Sequence, residues 1–144
     1  MTLTPRIHGL IDWAATALLA AAPTALGWRG DTRRLMHAAS AGTAAYALAT
    51  DYEWGAAPLL SMEQHLALDA AQGAGFLVAA LSLRREPLEA RIAMAAFGAV
   101  AIAAAAFTER HPVPRARQRR YGRDSAILSR REAAARLSLA DAPQ

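Results

Sequence analysis

Cysteine is absent from this 144-residue chain, and so is lysine: all 16 basic residues are arginine. The first absence excludes disulfides, thiolate metal ligands and cysteine nucleophiles, and it leaves the redox compartment open. The second accompanies 39 alanines and reads as compositional bias, not as a choice of recognition chemistry. Charged residues make up only 19% of the chain and hydrophobic ones 54%, which excludes disorder over most of its length. A mass of 15.3 kDa suits one domain. Also missing are a nucleophile elbow, a phosphate-cradling glycine loop, a zincin helix and a dinucleotide fingerprint. No enzyme is indicated.

The net charge of +4 is unevenly held. Residues 1–109 carry seven arginines and nine acids; residues 110–144 carry nine arginines against Asp124, Glu132 and Asp141. The body is therefore nearly neutral and the tail strongly basic.

Within the body, apolar residues gather into four stretches: Ile7–Trp28, Leu35–Thr50, Leu60–Leu83 and Ile92–Thr108. Their lengths bracket the ~20 residues with which a helix crosses a bilayer. None alternates, and alanine favours helix over strand. Gly27, Gly30 and Asp31 separate the first from the second, Gly55 and Pro58 the second from the third, and Pro87 opens the fourth. Short connections make consecutive helices antiparallel neighbours. Residues 35–50 and 92–108 hold no charged residue, whereas a helix of a water-soluble bundle needs a charged face. The expected fold is all-α: a four-transmembrane-helix bundle over 1–109, with an arginine-rich tail over 110–144. The first stretch has only Arg6 before it and Asp12 inside it, so it reads as a retained helix and not as a signal peptide.

A shift of 57 lays helix 1 on helix 3: Thr4 meets Ser61, His8 meets His65, and Asp12 meets Asp69. A shift of 58 lays Thr50-Asp51 on Thr108-Glu109. The chain is thus expected to be a duplicated helical hairpin, repeat 1 covering about 4–53 and repeat 2 about 61–110, the halves related by a pseudo-two-fold along the membrane normal. Thr4 and Ser61 are expected N-caps, with Gln64 completing a capping box. His and Asp four apart share a helix face. His8, Asp12, His65, Asp69, Asp51, Tyr52, Glu53, Glu109 and His111 should then gather at one end of the bundle, and His37 at the other.

The run Arg6-Ile7-His8-Gly9-Leu10-Ile11-Asp12-Trp13, the link Thr50-Asp51-Tyr52-Glu53-Trp54-Gly55 and the run His65-Leu66-Ala67-Leu68-Asp69 resemble the SPW-repeat family of small bacterial membrane proteins. The resemblance implies two tandem helical hairpins and no established biochemical activity. Where that family has its name-giving Ser-Pro-Trp, this chain has Ala22-Pro23-Thr24 and Ala79-Ala80-Leu81.

Ionisable residues inside a membrane ask for a function. His8, Asp12, His65 and Asp69 form the candidate site, read either as hydrogen-bonded pairs locking the hairpins together or as a metal, haem or proton-handling site. Asp51, Tyr52, Glu53 and Glu109 are secondary candidates, with an interfacial reading in which the acids pair with Arg6 or Arg110. Asp31 or Thr32 is expected to cap helix 2. In the tail, Arg115, Arg117, Arg119, Arg120 and Arg123 suit anionic lipid head groups, and the sole aromatic among them, Tyr121, makes nucleic acid the weaker partner. A short amphipathic helix is expected after Asp124, with the rest partly disordered. The leading reading is a structural or interaction protein of the bacterial inner membrane, free of cofactor, with both termini cytoplasmic and a second copy or another membrane protein as partner.

Overall fold

The computed structural model describes residues 2–110. These form four helices: α1 (Pro5–Ala25), α2 (Gly30–Ala49), α3 (Met62–Ser82) and α4 (Leu88–Phe107). The arginine cluster of the tail, His111 and the expected helix after Asp124 lie outside the described residues.

Local chemistry sets the helix ends. Thr4 Oγ1 accepts from the Ile7 amide and Pro5 fills the first turn, where its missing N–H costs nothing. Ser61 and Gln64 make the full capping box, each side chain accepting from the other's amide. Gly27, at φ +69°, turns the chain out of α1 behind Pro23. At α2 the expected caps are not used. Arg29 holds the N-cap position without a side-chain bond, and Gly30 enters the helix at φ +60°. Thr32 is instead buried and donates to Glu86 across the turns (2.8 Å), and Asp31 meets Arg34 at 3.4 Å.

The closest helix packing lies within the hairpins, α1 with α2 and α3 with α4, and α2 against α3 joins them. Burial follows the repeat. Leu19 and Phe76 are 57 apart; Met36 and Met94, Ala47 and Ala105, and Thr50 and Thr108 are 58 apart; all eight are buried. The hairpin crossings correspond as well. In the first, Ser40 Oγ donates to the Thr16 carbonyl (2.9 Å). In the second, the equivalent positions are Gly98 and Gly73, where a Cβ on either would fall within 2.7 Å of the other's carbonyl oxygen. The chain also closes on itself twice in the same way. Leu3, before α1, bridges Thr108 at the end of α4, and Leu60, before α3, bridges Thr50 at the end of α2. These isolated bridges are the only extended pairing among the described residues.

Two regions fill the interior. At the end away from the termini, Leu19, Trp28, Met36, Phe76, Ala90 and Met94 form an apolar core. Toward the other end the centre is polar.

Among the described residues, α4 alone is long and apolar enough to span a membrane by itself, with a window of mean hydropathy 1.9. The four helices are present as expected, but the expectation that all four span a membrane is met on this measure by α4 alone. α1 carries Arg6, His8 and Asp12, α2 carries Asp31, Arg33 and Arg34, and α3 carries Glu63, Gln64, His65, Asp69 and Gln72. Alanine, which makes up much of the remainder, offsets these only weakly.

Candidate functional site

Asp12 and Asp69 lie one turn beyond His8 and His65, on the inward faces of α1 and α3. Both histidines are fully buried and both acids nearly so. The pairing crosses between hairpins. His8 Nε2 lies 2.9 Å from Asp69 Oδ2, and His65 Nε2 lies 3.0 Å from Asp12 Oδ2. The same nitrogens are farther from the acids of their own helices, 3.4 Å from Asp12 Oδ1 for His8 and 3.3 Å from Asp69 Oδ2 for His65. The two Nε2 atoms face each other at 3.3 Å.

The outer nitrogens settle the tautomers. Thr108 Oγ1 gives its proton to the Ala104 carbonyl (2.6 Å), so at 2.9 Å from His8 Nδ1 it can only accept. Thr50 repeats this: it donates to the Tyr46 carbonyl (2.6 Å) and accepts from His65 Nδ1 (2.9 Å). The hydrogen-bond network therefore assigns a proton to each Nδ1 and turns each Nε2 toward the carboxylates. An Nε2 meeting a carboxylate oxygen at this range needs a proton or a metal ion between them.

A further layer is present on one side only. Tyr46 Oη donates to Asp69 Oδ1 (2.5 Å) and its ring stands edge-on to His65. Gln72 donates to Thr43, which donates to the Ala39 carbonyl. The position equivalent to Tyr46 in the second hairpin is Ala104. A cavity of about 40 Å³ borders Asp12, Asp69, Thr43, Tyr46 and Gln72 and is otherwise lined by apolar residues such as Leu19, Phe76 and Phe97. That is room for about three waters at ~10–15 Å³ each.

The secondary candidates divide. Tyr52 is buried with its ring against His65. With Trp54, which donates to the Arg6 carbonyl (3.1 Å), it closes over Gly9, where a Cβ would lie 2.4 Å from Trp54 and 2.6 Å from Tyr52. Glu53 pairs with Arg6 at 3.7 Å on the surface, and Glu109 receives Thr2 at 3.5 Å. Asp51 contributes its backbone amide, bonded to Leu60. None of the three acids joins the buried cluster. His37 contacts the Ala20 carbonyl (3.1 Å), well apart from it.

Sequence reasoning missed Tyr46, Thr50 and Thr108 as partners of the cluster. The two threonines were visible as landmarks of the repeat, and their recurrence beside the duplicated His-x3-Asp was the signal. Tyr46 gave none, because nothing matches it in the second half.

The geometry bears on the chemistries open to the cluster. Two Nε2 atoms 3.3 Å apart with carboxylates around them leave no slot for a planar macrocycle, so haem does not fit. A proton path across the bundle would have to cross the buried Leu19, Met36, Phe76 and Met94. Fastening the hairpins and holding a small cation both suit the arrangement. No family model matches the chain, and no curated protein or solved structure shows significant similarity to it.

Proposed function

We propose that the chain is a small multi-pass protein of the bacterial inner membrane, a four-helix scaffold whose two hairpins are fastened by the His/Asp cluster, with a structural or interaction role. One observation carries this reading: ionisable side chains are buried at the centre while large apolar side chains face outward. His8, Asp12, Thr43, His65 and Asp69 are buried, whereas Leu18, Val78, Leu81, Ile92 and Val100 are more than half exposed. Outward apolar surface on α1, α3 and α4 together with buried ionisable groups marks contact with something other than water. In hydrocarbon the same arrangement is favourable, because polar side chains face one another inside. The hydropathy of α4 agrees, and so does its placement: only 28% of its apolar window is buried, unlike a core helix. The resemblance of residues 6–13, 50–55 and 65–69 to the SPW-repeat proteins points the same way.

On this reading the starts of α1 and α3 and the ends of α2 and α4 lie at one membrane face, and the basic tail follows from that face to meet anionic head groups. The test is extraction of membranes with alkaline carbonate. The chain should stay in the pellet and come into solution only with detergent; a monodisperse preparation obtained without detergent would overturn the proposal.

A further inference from the structure

The cluster holds its two acids and two imidazoles so that every inner atom faces one point. The inner nitrogens and carboxylate oxygens all lie within 4.8 Å of one another. Taking Asp12 Oδ2 and Asp69 Oδ2 with the two Nε2 atoms, four of the six separations run from 2.9 to 3.3 Å. A tetrahedral ion with bonds of about 2.0–2.1 Å sets its ligands about 3.3 Å apart, so these edges are close to those of such a polyhedron.

We propose that His8, Asp12, His65 and Asp69 form a four-coordinate site for one divalent first-row transition-metal ion, zinc foremost, held by two Nε2 atoms and two carboxylate oxygens. This goes beyond the scaffold reading and does not depend on the chain entering a membrane.

Three features carry it. First, Thr50 and Thr108 commit both Nδ1 protons, which leaves each Nε2 as the ligating nitrogen. Outer-shell acceptors of this kind orient metal-binding imidazoles. Tyr46 does the same for Asp69 by occupying Oδ1 and leaving Oδ2 inward. Secondly, the charges suit a cation: two carboxylates converge with two imidazole nitrogens, and one divalent ion balances two ionised carboxylates. Thirdly, the donor set discriminates. Calcium and magnesium demand six or more oxygens, whereas two imidazoles with two carboxylates suit zinc and its neighbours. All four ligands come from buried side chains, one His and one Asp from each hairpin. A site closed in this way binds for structure and joins the hairpins through the ion.

The experiment uses the full chain in detergent, stripped with chelator, then titrated with Co(II) by visible absorption and with Zn(II) by calorimetry. The expected result is one ion per chain and the intense bands of tetrahedral cobalt. Asp69→Asn should weaken binding more than tenfold, and Thr108→Val by about 10- to 100-fold, as loss of an orienting partner does. Glu53→Gln, on the surface, should leave it unchanged. Circular dichroism of each metal-free variant shows whether it is folded. If Asp69→Asn does not fold, the wild-type stoichiometry and the cobalt spectrum decide alone. No bound ion at neutral pH overturns the site, as does bound cobalt without tetrahedral bands or binding unaltered in a folded Asp69→Asn. A chain that needs no detergent would overturn the membrane reading and leave this titration to be run in plain buffer.

Discussion

His8 and Asp69 stand 2.9 Å apart across the boundary between the hairpins, closer than His8 stands to Asp12, the acid one turn along its own helix. The reciprocal contact, His65 to Asp12, makes the duplication interlocking: each hairpin's histidine is satisfied by the other's acid, and each ring is held from behind by the other hairpin's threonine. Separating the hairpins would break both shorter pairs and both threonine contacts at once, leaving only the longer His–Asp contact within each helix.

Asp12→Asn and Asp69→Asn, which keep shape and remove charge, should therefore each destabilise the protein by about 3 kcal/mol, as breaking a buried ion pair does. The double variant should cost less than the two single costs together, because the first loss already loosens the cluster. Thermal unfolding of all four species in one detergent measures this. Additivity to within about 0.5 kcal/mol would show that the two pairs do not act as a unit.

Tyr46→Phe tests the one-sided layer. It removes the donor to Asp69 Oδ1 while keeping the ring beside His65. A hydrogen bond to a charged group contributes about 2 kcal/mol, so a fall in stability of that size is expected. His37→Ala, at an exposed residue whose only contact described is the Ala20 carbonyl, should change stability by no more than about 0.5 kcal/mol. Equal effects from the two substitutions would remove Tyr46 from the cluster.

Much of this was legible beforehand, for identifiable reasons. Thr4, Ser61 and Gln64 declare helix starts through local bonding, which spacing alone can reveal. The His-x3-Asp pairs declare a shared face through helical geometry. The choice of partner is different in kind: whether His8 takes Asp12 or Asp69 depends on how α1 and α3 approach each other, and both options satisfy the sequence equally. Asp31 and Thr32 both suit a cap because an oxygen near a helix start has that local use, yet Thr32 is held by a tertiary partner, Glu86, and Asp31 by Arg34. Of the four expected spans only α4 is apolar enough by itself, because the repeat that builds the cluster puts polar groups into α1 and α3 and because α2 opens with Asp31, Arg33 and Arg34.

Two glycines on α3, two residues apart, should respond to alanine in opposite directions. Gly73 faces α4, where a Cβ would sit 2.7 Å from the Gly98 carbonyl oxygen and 2.8 Å from Ile102. Backbone cannot yield cheaply, so Gly73→Ala should cost about 1–3 kcal/mol. Gly75 has nothing within 4 Å of a Cβ and sits in a helix interior. Gly75→Ala should stabilise by up to about 1 kcal/mol through helix propensity. Unfolding of the two variants side by side checks this, and a destabilised Gly75→Ala would mean that its face is covered by a partner.

Orientation in the membrane gives the last prediction, and the charges nearest the helices do not decide it. Under the proposed topology, the side with the termini and the 51–59 link carries Arg6, Arg110, Arg115, Arg117, Arg119, Arg120 and Arg123. The side with the turns carries Arg29, Arg33, Arg34, Arg84, Arg85 and Arg91. Seven against six is no bias under the positive-inside rule. On the turn side, however, Arg91 spends its Nε on the Ala80 carbonyl (2.7 Å) and Arg34 lies against Asp31. Anionic lipid and the membrane potential both favour retaining a tail with nine arginines in the cytoplasm. Both termini should therefore be cytoplasmic, with the end nearest the His/Asp cluster facing inward. Fusing reporters to the C-terminus measures this: a fluorescent protein that matures only in the cytoplasm should be bright, and a phosphatase active only after export should be silent. The opposite pair of signals would place the cluster toward the periplasm and make extracytoplasmic metal its source of supply.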